Sequence, residues 1–209
     1  MPTDLDPAEL RVLGCLLEKE LATPDYYPLS LAALLAACNQ KTSREPVVSY
    51  DEATVQEAVS RLKDRQLVWQ SDAGRVSRFG ENLGGKGQLV NREKAVLAVL
   101  LLRGPQTVGE IRQRTDRLHT FASSEEVEEV LSGLVEGGMV ARLARQPGQK
   151  EARCRHLLGG QESEPAAGPA MGSTPPGLSL SGLSAEVAAL REEVASLRQE
   201  IEDFRQLLR

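Results

Sequence analysis

The stretch SYDEATVQEAVSRLKDRQLVWQSDAGRVSRFGENL, residues 49–83, decides the fold. Val55, Ala58, Val59 and Leu62 fall at i, i+3, i+4 and i+7, the spacing of one buried helical face. Ser49 stands three residues before Glu52, which predicts a capping-box start for that helix. Leu67-Val68-Trp69 then reads as a short strand, Asp72-Ala73-Gly74 as a turn, and Arg75 to Phe79 as the returning strand. The same pattern recurs 72 residues on, where Val127, Val130, Leu131, Leu134, Met139 and Val140 replace Val55, Ala58, Val59, Leu62, Leu67 and Val68. One module is therefore present twice.

The flanking chain repeats in the same order. Asp6-Pro7 predicts a helix start, an N-cap with proline at the first helical position. Val12, Leu13, Leu16 and Leu17 of that helix return 84 residues later as Val96, Leu97, Leu100 and Leu101. Ser30 caps a second helix with Leu31 and Leu34 inward, and 77 residues on stand Thr107, Val108 and Ile111. Thr107 and Glu110 form a capping box. The falling offset means longer loops in the first copy, among them the polar segment Asn39 to Pro46. Each copy reads as three helices followed by a hairpin, the winged helix-turn-helix order, in which the hairpin covers a core that three short helices leave open.

The expected fold class is thus mainly α with small β-hairpins (α+β), two tandem winged helix-turn-helix domains and a C-terminal coiled-coil helix. The domains are residues 5–89 and 90–158. Residues 159–182 are rich in Gly, Pro and Ser and read as a flexible linker. Residues 183–209 carry a heptad, with Leu183, Leu190, Leu197 and Phe204 at d and Val187, Val194, Ile201 and Leu208 at a. Glu186, Glu193 and Glu200 at g match Arg191, Arg198 and Arg205 at e in a parallel pair, so a homodimer is expected, with an amphipathic helix packing back on its own domains as the alternative.

Composition narrows the function. Seven aromatics in 209 residues leave little for stacking on single-stranded nucleic acid. Net charge is −5, divided as −3 over residues 1–90, +2 over 91–160 and −4 over the remainder. No part is strongly basic, which argues against avid non-specific DNA binding. Cys15, Cys38 and Cys154 are widely spaced, with no CxxC pair, and read as reduced thiols of a cytoplasmic protein. No apolar run reaches membrane-spanning length, so no membrane partner is expected. Gly80 to Gly87 contains GxxxxGK but lacks the following Ser or Thr, and reads as a linker rather than a phosphate loop. His119 and His156 lie in different elements, and no catalytic, cofactor or metal-ligand pattern is present, so an enzyme is not expected.

Candidates for nucleic-acid binding remain. The third helix of copy 1 turns Thr54, Gln56, Glu57, Ser60 and Arg61 away from its core face; Thr54, Gln56 and Arg61 are of types that read base edges or phosphates. Lys41 and Arg44 precede it, and Arg75 and Arg78 lie on its hairpin. Arg142, Arg145, Lys150, Arg153 and Arg155 line the second hairpin, while Arg112, Arg114 and Arg117 end the second helix of copy 2. Glu125, Glu126, Glu128 and Glu129 at the start of the third helix of copy 2 would repel a DNA backbone. An ordinary solvated, salt-bridged surface accounts for the same residues.

Residues 5–158 resemble the YceH-like family of bacterial tandem winged-helix proteins. The resemblance is carried by Leu10 to Glu20, Asn39 to Val47, Arg103-Gly104-Pro105-Gln106-Thr107, and Arg145 to Glu151. It implies the fold and no catalytic residues. Linker and heptad fall outside it. A looser similarity, in architecture and charge only, is to segregation and condensation protein B, which dimerises and binds a partner protein. The expected function is a dimeric, transcription-regulator-like protein binding double-stranded DNA, with a protein-binding scaffold as the alternative.

Overall fold

The computed structural model describes residues 4–83, 89–145 and 151–159. These contain six α-helices and two small antiparallel sheets, an α+β arrangement. The first half runs α1 (Pro7–Ala22), β1 (Leu29–Ser30), α2 (Leu31–Cys38), α3 (Glu52–Asp64), β2 (Val68–Ser71) and β3 (Arg78–Glu81). The second runs α4 (Asn91–Arg103), α5 (Val108–Thr115), α6 (Ser124–Glu136), β4 (Val140–Arg142) and β5 (Cys154–His156).

Local chemistry explains the helix starts. The Asp6 carboxylate accepts from Ala8 N–H at 2.8 Å and Glu9 N–H at 2.9 Å, and Glu9 accepts from Asp6 N–H at 2.8 Å. Ser30 caps α2, and Thr107 with Glu110 forms the box that opens α5. One start differs from the sequence reading. Asp51, not Ser49, caps α3, accepting from Thr54 N–H at 2.8 Å. Its carboxylate is the better acceptor for the positive helix terminus, and Ser49 stands exposed outside the helix.

The two halves repeat each other's hydrogen bonds. Gln66, just past α3, and Gly138, just past α6, both adopt left-handed φ, 60° and 68°. In each case two reversing bonds close the turn: Gln66 N–H to the Lys63 carbonyl and Leu67 N–H to Leu62, then Gly138 N–H to Val135 and Met139 N–H to Leu134. The first sheet has a strand that the sequence reading omitted. β1 pairs with β3 through Leu29 opposite Phe79, giving the order β1-β3-β2. In the second half an isolated bridge from Gln106 to Cys154 stands in the corresponding place.

One continuous core runs through both halves. It includes Val12, Leu13, Leu16, Leu34, Val55 and Leu62 from the first, and Val96, Leu97, Leu100, Ile111, Leu131 and Leu134 from the second. α4 is buried from Ala95 through Leu102, as expected of a helix apolar on every side. It packs against α1 at Gly14, where a β-carbon would stand 3.0 Å from Leu101 Cβ. Lys94 adds an ionic tie, 2.9 Å from Glu20 of α1 and 2.7 Å from the buried Glu81 of β3.

The predicted thiols are all buried and free. No helix among the described residues is long and apolar enough to cross a membrane. The heptad, the 159–182 linker beyond Gly159, and Gly84 to Gly87 of the GxxxxGK segment lie outside the described residues.

Candidate nucleic-acid interface

The candidate interface is the exposed side of α3 together with the β2–β3 hairpin. α3 buries Val55, Ala58, Val59 and Leu62, which leaves Gln56, Ser60 and Lys63 on its outer side. A cavity of about 370 Å³ lies between these residues and the hairpin, where Gln70 and Ser77 complete its polar lining. Lys63 Nζ donates to Gln70 Oε1, linking helix to hairpin, while the amide of Gln70 donates to Asp72 at 2.8 Å. No carboxylate is among its lining residues, although Asp72 beside it accepts from Gln70 at 2.8 Å and Ser77 at 2.6 Å, and Lys63 supplies its positive charge. Val76, 59% exposed, lines the cavity as well, while Trp69, 41% exposed, lies on the other face of the hairpin. The Trp69 indole covers Gly80 of the paired strand so closely that a β-carbon there would sit 2.3 Å from the ring.

The structure divides the sequence candidates. Lys41, Gln56 and Arg75 are exposed, and Thr54 stands half-buried in the first turn of α3. Arg78 is exposed and donates to the Pro28 carbonyl at 2.9 Å. Arg44 departs from the expectation of a phosphate contact. It is buried, paired to Glu18 at 2.6 Å, and donates to the Ala37 carbonyl at 3.0 Å. Burial opposes its charge, but the Glu18 contact prevails and holds its pKa above the ordinary value. Arg61 is also turned to an internal task. It pairs with Asp6 at 2.5 Å and Glu57 at 2.6 Å, and approaches the buried Glu9 at 3.7 Å.

In the second half Arg142 and Arg153 meet carboxylates of their own chain, on α6 and α5 respectively. Arg142 pairs with Glu128 at 2.6 Å, which raises its pKa. Arg153 pairs with Glu110 at 3.0 Å and donates to the Pro105 carbonyl at 2.8 Å. Arg155 is half-buried, Arg145 is exposed, and Lys150 lies outside the described residues. The four glutamates that a DNA backbone would have met thus serve in part as local counter-ions, since Glu129 also stands 3.9 Å from Arg92. Sequence reasoning missed Lys63, Gln70 and Ser77, because their convergence depends on how the hairpin folds back over α3. Among the described residues no group of three His, Cys, Asp or Glu side chains is placed to hold a metal ion.

A family model described as "Protein of unknown function, DUF480" matches residues 5–149. A UPF0502 protein of Opitutus terrae is 47% identical over 190 residues, 88% of this chain and 82% of that protein. A UPF0502 protein of Pelobacter propionicus is 54% identical over 159 residues, 75% of this chain and 73% of its own length. One of Solibacter usitatus is 52% identical over 173 residues, 82% of this chain and 84% of that protein.

Proposed function

The chain belongs to the DUF480 family of proteins of unknown function, and from that premise we propose that it is a non-enzymatic, dimeric DNA-binding protein that contacts duplex through its first half. Each half is read as a winged helix, α3 as the helix that enters the major groove, and the β2–β3 hairpin as the wing. The observation that carries this reading is the carboxylate-free cavity between Gln56, Ser60 and Lys63 of α3 and Gln70 and Ser77 of the hairpin. Amide and hydroxyl groups there suit base edges, and Lys41, Lys63 and Arg75 supply phosphate contacts. The second half contributes little to phosphate binding in this reading, because Glu128 and Glu110 neutralise Arg142 and Arg153. The heptad from Leu183 to Leu208 supplies the dimer contact.

The test is a salt titration of full-length protein on duplex DNA. Three cations per protomer predict a log–log slope of about −3 for each half-site. A slope near zero defeats the reading. So does absence of binding at about 50 mM salt, where phosphate contacts are strong. Trp69 and Val76 favour a second reading, a scaffold that docks a partner protein on the same hairpin. That reading predicts salt-insensitive binding lost in Trp69→Ala.

A further inference from the structure

A second cavity, of about 200 Å³, lies where the two halves meet. From the first half it takes Lys19 of α1 and Thr42 and Ser43 of the loop before α3. From the second it takes Arg103, the last residue of α4, Arg114 of α5, and Arg117 just beyond α5. Four cationic side chains thus face one small space. Its lining carboxylate, Glu18, is already held by Arg44 at 2.6 Å, behind the cavity wall, and stands a longer 3.5 Å from Lys19. Arg114 has Glu110 at a loose 3.8 Å and donates through its other terminal nitrogen to the Gln106 side-chain oxygen. Arg103 and Arg117 make no ion pair among the described residues.

A helix C-terminus favours a cation, and each arginine has one nearby. That accounts for each singly but not for their convergence. Like charges brought together repel, and Arg103 shows it: burial first, then Arg114 and Arg44, lower its pKa. Ser43 adds a second irregularity, a non-glycine residue at φ 59°. Its strained backbone places a serine and a threonine at the rim of the same cavity. Two of the stretches singled out in the sequence, Asn39 to Val47 and Arg103 to Thr107, meet here.

We propose that this cavity binds a phosphoryl group, as inorganic phosphate, pyrophosphate or the phosphate of a small metabolite. Guanidinium forks bind phosphate oxygens in bidentate fashion, and the lysine and hydroxyls supply further donors. Four cations against one neutralised carboxylate suit an anion with two or more charges better than a monocarboxylate. Duplex DNA is too wide for the space. Because the ligand would bridge residues of both halves, binding stabilises their junction. Phosphate capture here is independent of DNA contact through α3.

Thermal unfolding of the full chain tests it, with inorganic phosphate or pyrophosphate raised at constant ionic strength against chloride. The expected result is a saturable rise in Tm for the phosphates and none for chloride. Arg117→Gln, at an exposed position, should keep the ligand-free Tm and lose the rise; Arg103→Gln should lose it as well. Broadening of the phosphate resonance in phosphorus NMR by wild type, but not by Arg117→Gln, gives a readout independent of stability. A flat Tm with unbroadened phosphate overturns the proposal, as does an undiminished response in both variants. A response to duplex but not to either phosphate overturns it too.

Discussion

His156 lies on β5 with its Nδ1 buried and without a hydrogen-bond partner. Burial, then the neighbouring Arg155 charge, lowers its pKa from 6.5 to about 4. The unfolded chain therefore takes up a proton near pH 6.5 that the folded chain refuses until about pH 4. Stability from the neutral ring is complete above pH 6.5 and is lost as the pH falls towards 4. The loss amounts to about 3 kcal/mol, because each tenfold change in proton affinity is worth about 1.4 kcal/mol. Denaturant unfolding at a series of pH values should show this slope in wild type and a shallower one in His156→Gln. Equal slopes would mean that the ring is not held neutral. The same low-dielectric logic applies to Arg44, whose burial is tolerable because Glu18, the Ala37 carbonyl and Gln40 satisfy its guanidinium together.

At the scale of an element, the turn that ends the third helix of each half is the most informative. Gln66 and Gly138 perform the same left-handed step with different residues. A side chain in that region costs about 1–2 kcal/mol, which glycine avoids. Gly138→Ala should therefore lower stability by about 1 kcal/mol, whereas Gln66→Gly should leave it unchanged or raise it. Urea unfolding of the two variants decides the matter. Losses of the same size in both would mean that the two turns are not under the same constraint. Each helix was legible for a local reason. The apolar positions of α3 and α6 recur at helical spacing, whereas the cap of α3 was read two residues early, at Ser49 in place of Asp51. β1 was not legible, because a two-residue strand has no period to detect and exists only through its pairing with β3.

At the scale of the whole molecule, the two halves share a core in which α1 and α4 meet at Gly14. Beyond it, the heptad predicts assembly. Leu190→Asp places a charge at a d position and should convert a dimer into a monomer by light scattering. The same variant should weaken duplex binding, because two linked half-sites become one. An unchanged mass would remove the heptad from the dimer contact.

Periodicity and capping residues, which depend on residues a few positions apart, together with a repeat that compares the chain with itself, were sufficient to place six helices and two hairpins in order. The fate of the arginines was decided by tertiary structure. Arg44, Arg61, Arg142 and Arg153 look alike in a sequence, yet Arg44 and Arg61 meet carboxylates on α1 or at its cap, Arg142 meets one on α6, and Arg153 meets one on α5. A charge is available to a partner only when packing brings no opposite charge to it first, and that depends on contacts between residues far apart in the chain.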